Sequence, residues 1–432
     1  MRHYSGHAHL NPANVMVLMT CLGYVVSFMD RQIVSVLIEP IKSELHIADG
    51  QLGMLTGLSF ALFYCAVSLP IAALADRIAR KRIIVVSMTF WSAMTALFGF
   101  GRTYAELFAA RMAVGGGGAA FAPAAYSMTA DYFPRENRST ATGFIAAGSM
   151  VGSMCGLVLG GYVAQHYGWR MAMKVAAVPG LVLAFLYAFT VREPERRQVD
   201  GAPAMGATPP SFSALARLPS YLLMVSSAVA AMFVLYACVH WFPAFLIRTH
   251  HMTPGEVGVL LGPVLGGVGA VSMIASGYAA DHFSRNDPRW AAWVPAIAAL
   301  VGVPLLAASF YTNDRWSAVA FFGLAYFAVM FQCTPIVAAI QGLVPMNLRA
   351  RATAVFMLTC TLVGSGAGPT LAGFLSEAYE PAYHGESLRF ALLTMTPMLV
   401  LSPLLLACAG PWLVRNSTQR REAPLHGAEN SA

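Results

Sequence analysis

The sequence predicts an all-α membrane protein, twelve transmembrane helices in two six-helix bundles. Three observations lead there. Of 432 residues, 57% are hydrophobic and only 11% are charged, against about 25% charged in an ordinary soluble domain. Apolar stretches of the length a bilayer core needs, about 20 residues, occur twelve times. The second half of the chain also repeats features of the first at a nearly constant offset.

The spans are expected at 14–38, 51–75, 83–101, 104–130, 139–164, 171–191, 220–247, 255–280, 290–311, 315–343, 352–378 and 388–413. The N-terminus lacks a charged leader and a small-residue cleavage site, so the first span is expected to stay uncleaved. The gap 192–219 is rich in Pro, Gly and charge and reads as a cytoplasmic linker. It divides the chain into a first half, 1–191, and a second half, 220–413, with a tail over 414–432.

Orientation follows from the 27 Lys and Arg residues. The tails and the gaps after even-numbered spans hold 18, the opposite gaps hold 6, and Arg31, Arg111 and Lys174 fall inside spans. Cytoplasmic loops accumulate Lys and Arg, so both termini are expected in the cytoplasm, as an even number of spans requires. The net charge of +7 is this collar and calls for no nucleic acid. The chain is expected as a monomer in an inner, plasma-type membrane.

Enzyme chemistry finds no support. The seven cysteines lie in apolar stretches without a CxxC pair and read as small buried residues. His3, His7 and His9 read as a solvated tail. No nucleophile stands beside a base, no cluster has metal-ligand spacing, and no nucleotide loop is present, so neither a metal nor a cofactor is expected.

The repeat carries a gate hypothesis. Asp76 and Asp281 are offset by 205, each followed four residues later by Arg80 or Arg285; Pro134, Arg138 and Ala141 recur as Pro345, Arg349 and Ala352 at an offset of 211. Residues four apart share a helix face. Asp76, Arg77, Arg80, Asp281 and Arg285 are therefore expected to latch the cytoplasmic side when it closes.

The loop Asp76-Arg77-Ile78-Ala79-Arg80-Lys81 resembles the signature of the major facilitator superfamily. The segments 28–32 (Phe-Met-Asp-Arg-Gln), 38–47, 51–64 and 131–134 (Asp-Tyr-Phe-Pro) resemble its Spinster-type branch. The likeness is dense over 28–193 and weaker but collinear beyond. It implies a two-domain transporter rocking about a central cavity; characterised animal members of the branch export lysolipids or sphingosine phosphate.

Independently of that resemblance, Asp30, Arg31, Arg111, Lys174 and His240 are the charged or imidazole side chains lying three or more residues inside the span ends. A charge at a helix centre costs about 2.5–3.5 kcal/mol on insertion scales, which marks them as functional candidates. At 1.5 Å per residue, Asp30 and Arg111 are expected at one depth, and the superfamily arrangement, in which helices 1 and 4 line the cavity, sets them facing one another. An anion arriving at Arg111 would compete with Asp30 for it, linking proton occupancy at Asp30 to substrate occupancy. Arg31, about 100° around the helix from Asp30, is expected to point elsewhere, as suited to snorkelling or capping a loop as to binding substrate; Lys174 reads as interfacial. His240, Tyr64, Tyr126 and Gln332 complete the candidate lining. Spinster-like sequences usually carry an acidic residue seven positions after the helix-4 Arg, where this chain has Gly118. Asp30 is then left as the cavity carboxylate, or the protein is an uncoupled facilitator.

The function expected is secondary transport of a small or amphipathic organic anion by alternating access, with a lysolipid-like cargo favoured and proton coupling through Asp30. Carboxylate or aromatic-acid transport is the alternative, and a transport-dead sensor on the same scaffold a remote one.

Overall fold

The computed structural model describes residues 11–75, 78–194, 213–285, 287–344 and 348–422. Twelve helical segments follow the expected spans: α1 (Pro12–Leu45), α2 (49–75), α3 (Arg80–Phe98), α4 (104–132), α5 (Arg135–Tyr167), α6 (Trp169–Thr190), α7 (Pro219–His250), α8 (254–284), α9 (Trp290–Tyr311), α10 (315–343), α11 (349–383) and α12 (387–422). No strand occurs among the described residues. Ten stretches among them are long and apolar enough to cross a membrane; α4 falls short because it is interrupted, and α11 and α12 run on as one stretch. The protein is an all-α, multi-pass membrane protein.

The repeat is built into local structure. Helix α1 ends on His46 and α7 on His251, both in left-handed conformation with φ of 51° and 52°. The next helix starts alike in each half: Gln51 Oε1 accepts from Ala48 N, and Glu256 Oε2 accepts from Thr253 N. At the start of α5, Arg138 Nε donates to Phe133 O, and at the start of α11 Arg349 Nε donates to Val344 O. Helices α4 and α10, expected as single spans, each break midway, after Gly118 and after Met330. Each second piece carries proline at its third position, Pro123 and Pro335. A proline offers no N–H to the preceding turn, which explains why both spans break there.

The halves meet along two seams, α2 against α11 and α5 against α8. Close approach depends on glycine. A methyl group on Gly57 would strike the Gly366 carbonyl, and one on Gly258 would strike the Leu157 carbonyl.

With twelve helical segments, the start of α1 and the end of α12 lie on one side, the terminal face. Toward that face α5, α7, α8, α10 and α11 surround a vestibule of about 790 Å³, lined by Arg138, Gly143, Met273, Gln341 and Met357 among others. It meets a smaller central compartment of about 170 Å³ at Met232, Tyr236, Cys333 and Thr361, which line both. The opposite face is sealed.

Candidate functional site

The central compartment is walled by both halves. Phe28, Arg31, Thr56, Phe60 and Arg111 come from the first, and Tyr236, His240 and Tyr326 from the second. Arg111 is buried on α4 and reaches α1, where Nη1 donates to Asp30 O at 3.0 Å and Nη2 to Arg31 O at 3.1 Å. Asp30 and Arg111 thus lie at one height, but the guanidinium holds main-chain carbonyls and forms no ion pair with the carboxylate. The carboxylate of Asp30 is turned toward α3, where Oδ2 accepts from Thr95 Oγ1 at 3.2 Å while Oδ1 has no partner. It does not line the cavity.

Arg31, a substrate-binding candidate expected to point away from Asp30, lines the cavity together with Arg111. Its guanidinium carbon lies 4.5 Å from the Phe60 ring centre, 5.0 Å from Phe28 and 5.1 Å from Tyr64. Cation–π contact holds the group without neutralising it. The same rotation of about 100° per residue that separates the neighbours explains the exchange: with Asp30 packed against α3, Arg31 is delivered to the interface between the halves. Arg111 also lies over Phe60, at 5.4 Å.

The remaining candidates divide. His240 lines the compartment with Nδ1 buried and unpartnered. Tyr64 stacks on Phe60 and supports Arg31. Tyr126 is half-exposed and packs on Tyr24. Gln332 borders the vestibule, but its amide is committed to Val329 O and to Ser402 Oγ, at 3.1 Å each. Lys174 sits over the Phe100 ring at the end of α3, an interfacial place.

Of the expected latch, Asp76 and Arg77, like His3, His7 and His9, lie outside the described residues. Asp281 and Arg285 are exposed at the end of α8 and make no ion pair among the described residues. Arg80 is engaged inside the first half: Nη1 donates to Asp131 and to Ser127 Oγ, and Nε bonds Glu193 at 3.2 Å. Glu193 also accepts from the main-chain N–H groups of Arg80 and Lys81 at 3.0 and 2.7 Å, capping α3.

The polar gate that is closed here lies on the opposite face and was not among the sequence candidates. Arg248, at the end of α7, grips Asp49 through both Nη atoms, at 2.6 and 2.7 Å, and Glu39 through Nε at 2.6 Å. Asp49 also accepts from Lys42 at 2.7 Å and from Ser376 Oγ at 2.7 Å. Glu377 completes the closure by accepting from Gly50 N at 3.1 Å. Glu39, Lys42 and Asp49 belong to the first half, Arg248, Ser376 and Glu377 to the second. Proximity of Arg248 and Asp49 across 199 residues leaves no local pattern; their shared position at helix ends on the face opposite the termini was the one available signal.

A family model described as the Major Facilitator Superfamily matches residues 20–369. The chain belongs to that superfamily. It is 33% identical over 382 residues to an MFS-type efflux pump of Mycolicibacterium smegmatis, covering 88% of this chain and 87% of that protein. It is 25% identical to protein spinster of Drosophila melanogaster over 85% of this chain, though it spans only 62% of the fly protein. The crystal structure of a bacterial homolog to the human lysosomal transporter Spinster, inward-facing and unoccupied, superposes with a TM-score of 0.87 at 24% identity, covering 95% of this chain and 99% of that one. The protein is a membrane transporter of that superfamily and not an enzyme.

Proposed function

We propose that this superfamily member carries a small or amphipathic organic anion by alternating access, holding it between Arg31 and Arg111, with the two six-helix units rocking about the central compartment. The observation that carries this reading is the charge of the wall. Two guanidiniums border the central compartment, and no Asp or Glu lines it or the vestibule among the described residues. An anion entering exchanges water for two charge-assisted contacts, each worth about 1.5–3 kcal/mol. The vestibule walls, with Met232, Ile336, Val337, Phe356 and Met357, favour an amphipathic, lysolipid-like cargo over a compact carboxylate. The Lys and Arg collar supports a cytoplasmic terminal face in a plasma-type membrane, so this form opens inward. Asp281 and Arg285, exposed and without an ion pair among the described residues, then join Asp76, Arg77 and Arg80 in closing that face.

Proton coupling belongs to Asp30. It touches α3 through Thr95 and lies beside the guanidinium that the substrate engages, so anion binding alters its electrostatic surroundings without contact. A second reading, an uncoupled facilitator, rests on the position of Asp30 off the cavity wall. Proteoliposomes loaded with lysophosphatidate or an aromatic carboxylate, with and without a pH gradient, separate the two. Coupling through Asp30 predicts that Asp30→Asn abolishes gradient-driven accumulation and retains counterflow exchange. Accumulation that survives the substitution removes the proton role, and accumulation absent from the wild type establishes the facilitator.

A further inference from the structure

We infer that the central site is matched to an anion carrying two negative charges, and that Gly118 is the residue that sets this preference by leaving Arg31 without a counter-charge. The inference rests on the anion site proposed above and adds to it the charge of the ligand.

The guanidinium of Arg31 makes no hydrogen bond or ion pair among the described residues, and its Nε is buried without a partner. Its aromatic cradle positions the guanidinium and leaves its edge open to a ligand. Arg111 spends Nη1 and Nη2 on main-chain carbonyls, which carry no net charge, and its Nε has no partner. Both positive charges therefore face the compartment unneutralised by the wall. The Asp30 carboxylate is occupied by Thr95, off the compartment, and offers the ligand nothing. His240, across the compartment on α7, brings a further buried unpartnered atom, Nδ1, able to bond a polar group of the ligand from the other half.

Gly118 stands where a wall carboxylate would alter this balance. A Cβ built on it meets Arg31 Nη2 at 3.8 Å and nothing else within 4 Å, so a side chain fits and would be directed at that guanidinium. With glycine there, a singly charged ligand satisfies one arginine and leaves the other desolvated and unpaired, which is costly. A second negative charge satisfies both. Phosphate monoesters and dicarboxylates share this chemistry.

Matched pairs of ligands test it on the full-length protein in nanodiscs, with affinity measured by calorimetry near pH 7.5. Phenyl phosphate against phenyl sulfate asks about charge on one head group, and phthalate against its monomethyl ester asks about two carboxylates. The site predicts at least about tenfold tighter binding of the dianion in one pair or both, and the pair that discriminates identifies the chemistry. Gly118→Asp and Arg31→Gln reduce that preference below about threefold, whereas Gly118→Asn, of equal bulk without charge, retains it. Equal affinity within both pairs, or a preference that survives Gly118→Asp, overturns the inference. If the monoanions bind and Arg111→Gln abolishes that binding while no preference is seen, only the charge assignment fails. If no anion binds, the proposed anion site fails with it.

Discussion

Replacing Asp49 by asparagine opens the sealed face. Asp49 receives both Nη atoms of Arg248, the Lys42 ammonium and the Ser376 hydroxyl, and so joins α1, α2, α7 and α11 at one point. Asparagine keeps the shape but removes the charge that two cations share, and its amide NH₂ presents donors to donors. The loss of the Arg248 and Ser376 contacts falls only on the conformation in which this face is closed, because these two partners leave Asp49 when the halves rock apart, whereas Lys42 belongs to the same half. A shift of about 1.4 kcal/mol changes the population ratio tenfold, and loss of one buried charged partner is worth more than that. A cysteine at Val239, on the wall of the central compartment, in a chain stripped of its seven native cysteines, should react with an impermeant thiol reagent from the sealed face at least about tenfold faster in Asp49→Asn. Gly258→Val should act in the same direction by a different route, since its side chain strikes the Leu157 carbonyl and wedges α5 from α8. Unchanged labelling in both variants would show that neither the charge cluster nor the glycine seam holds the face shut.

Arg111→Met unfolds more readily than any other single change at the site. The guanidinium is 2% exposed and ties α4 to α1 through two carbonyls. Methionine fills the volume and leaves both carbonyls without a charged donor, a loss of about 3 kcal/mol. The melting temperature of the purified protein should fall, and Arg111→Lys, which keeps one charged donor, should lose less. Transport should be lost in Arg111→Met, since the anion has lost one of its two holders. If Arg111→Met melts no lower than the wild type, the two bonds do not hold α4 to α1.

The reasons for what was legible are physical. A bilayer demands about 20 apolar residues per crossing, so composition alone located all twelve helices, and the duplicated Pro134-to-Ala141 and Pro345-to-Ala352 segments marked the two halves. Asp30, Arg31, Arg111 and His240 stood out because charge inside an apolar stretch is rare. What the sequence did not convey was rotation. A helix turns about 100° per residue, so whether Asp30 or Arg31 faces the cavity depends on how α1 packs against α3, and a single sequence leaves that phase undetermined. The breaks in α4 and α10 were readable in principle at Pro123 and Pro335, but they were masked by the continuous apolarity of both spans. The charged cluster on the face opposite the termini needed the docking of α7 on α1 and α2, a contact between residues as far apart as Glu39 and Arg248.

Counterflow exchange in proteoliposomes tests the central claim, that two guanidiniums in a cavity between the halves make this an anion carrier. Labelled lysophosphatidate and labelled aromatic carboxylates are exchanged in turn against excess unlabelled anion, with the matching uncharged monoacylglycerol or amide as competitor. Two guanidiniums at the site require exchange of at least one of these anions, competition by the anion and not by its uncharged analogue, and loss of about ten- to hundredfold in Arg31→Gln and in Arg111→Gln. Equal competition by the uncharged analogue, or wild-type exchange in both arginine variants, would contradict it.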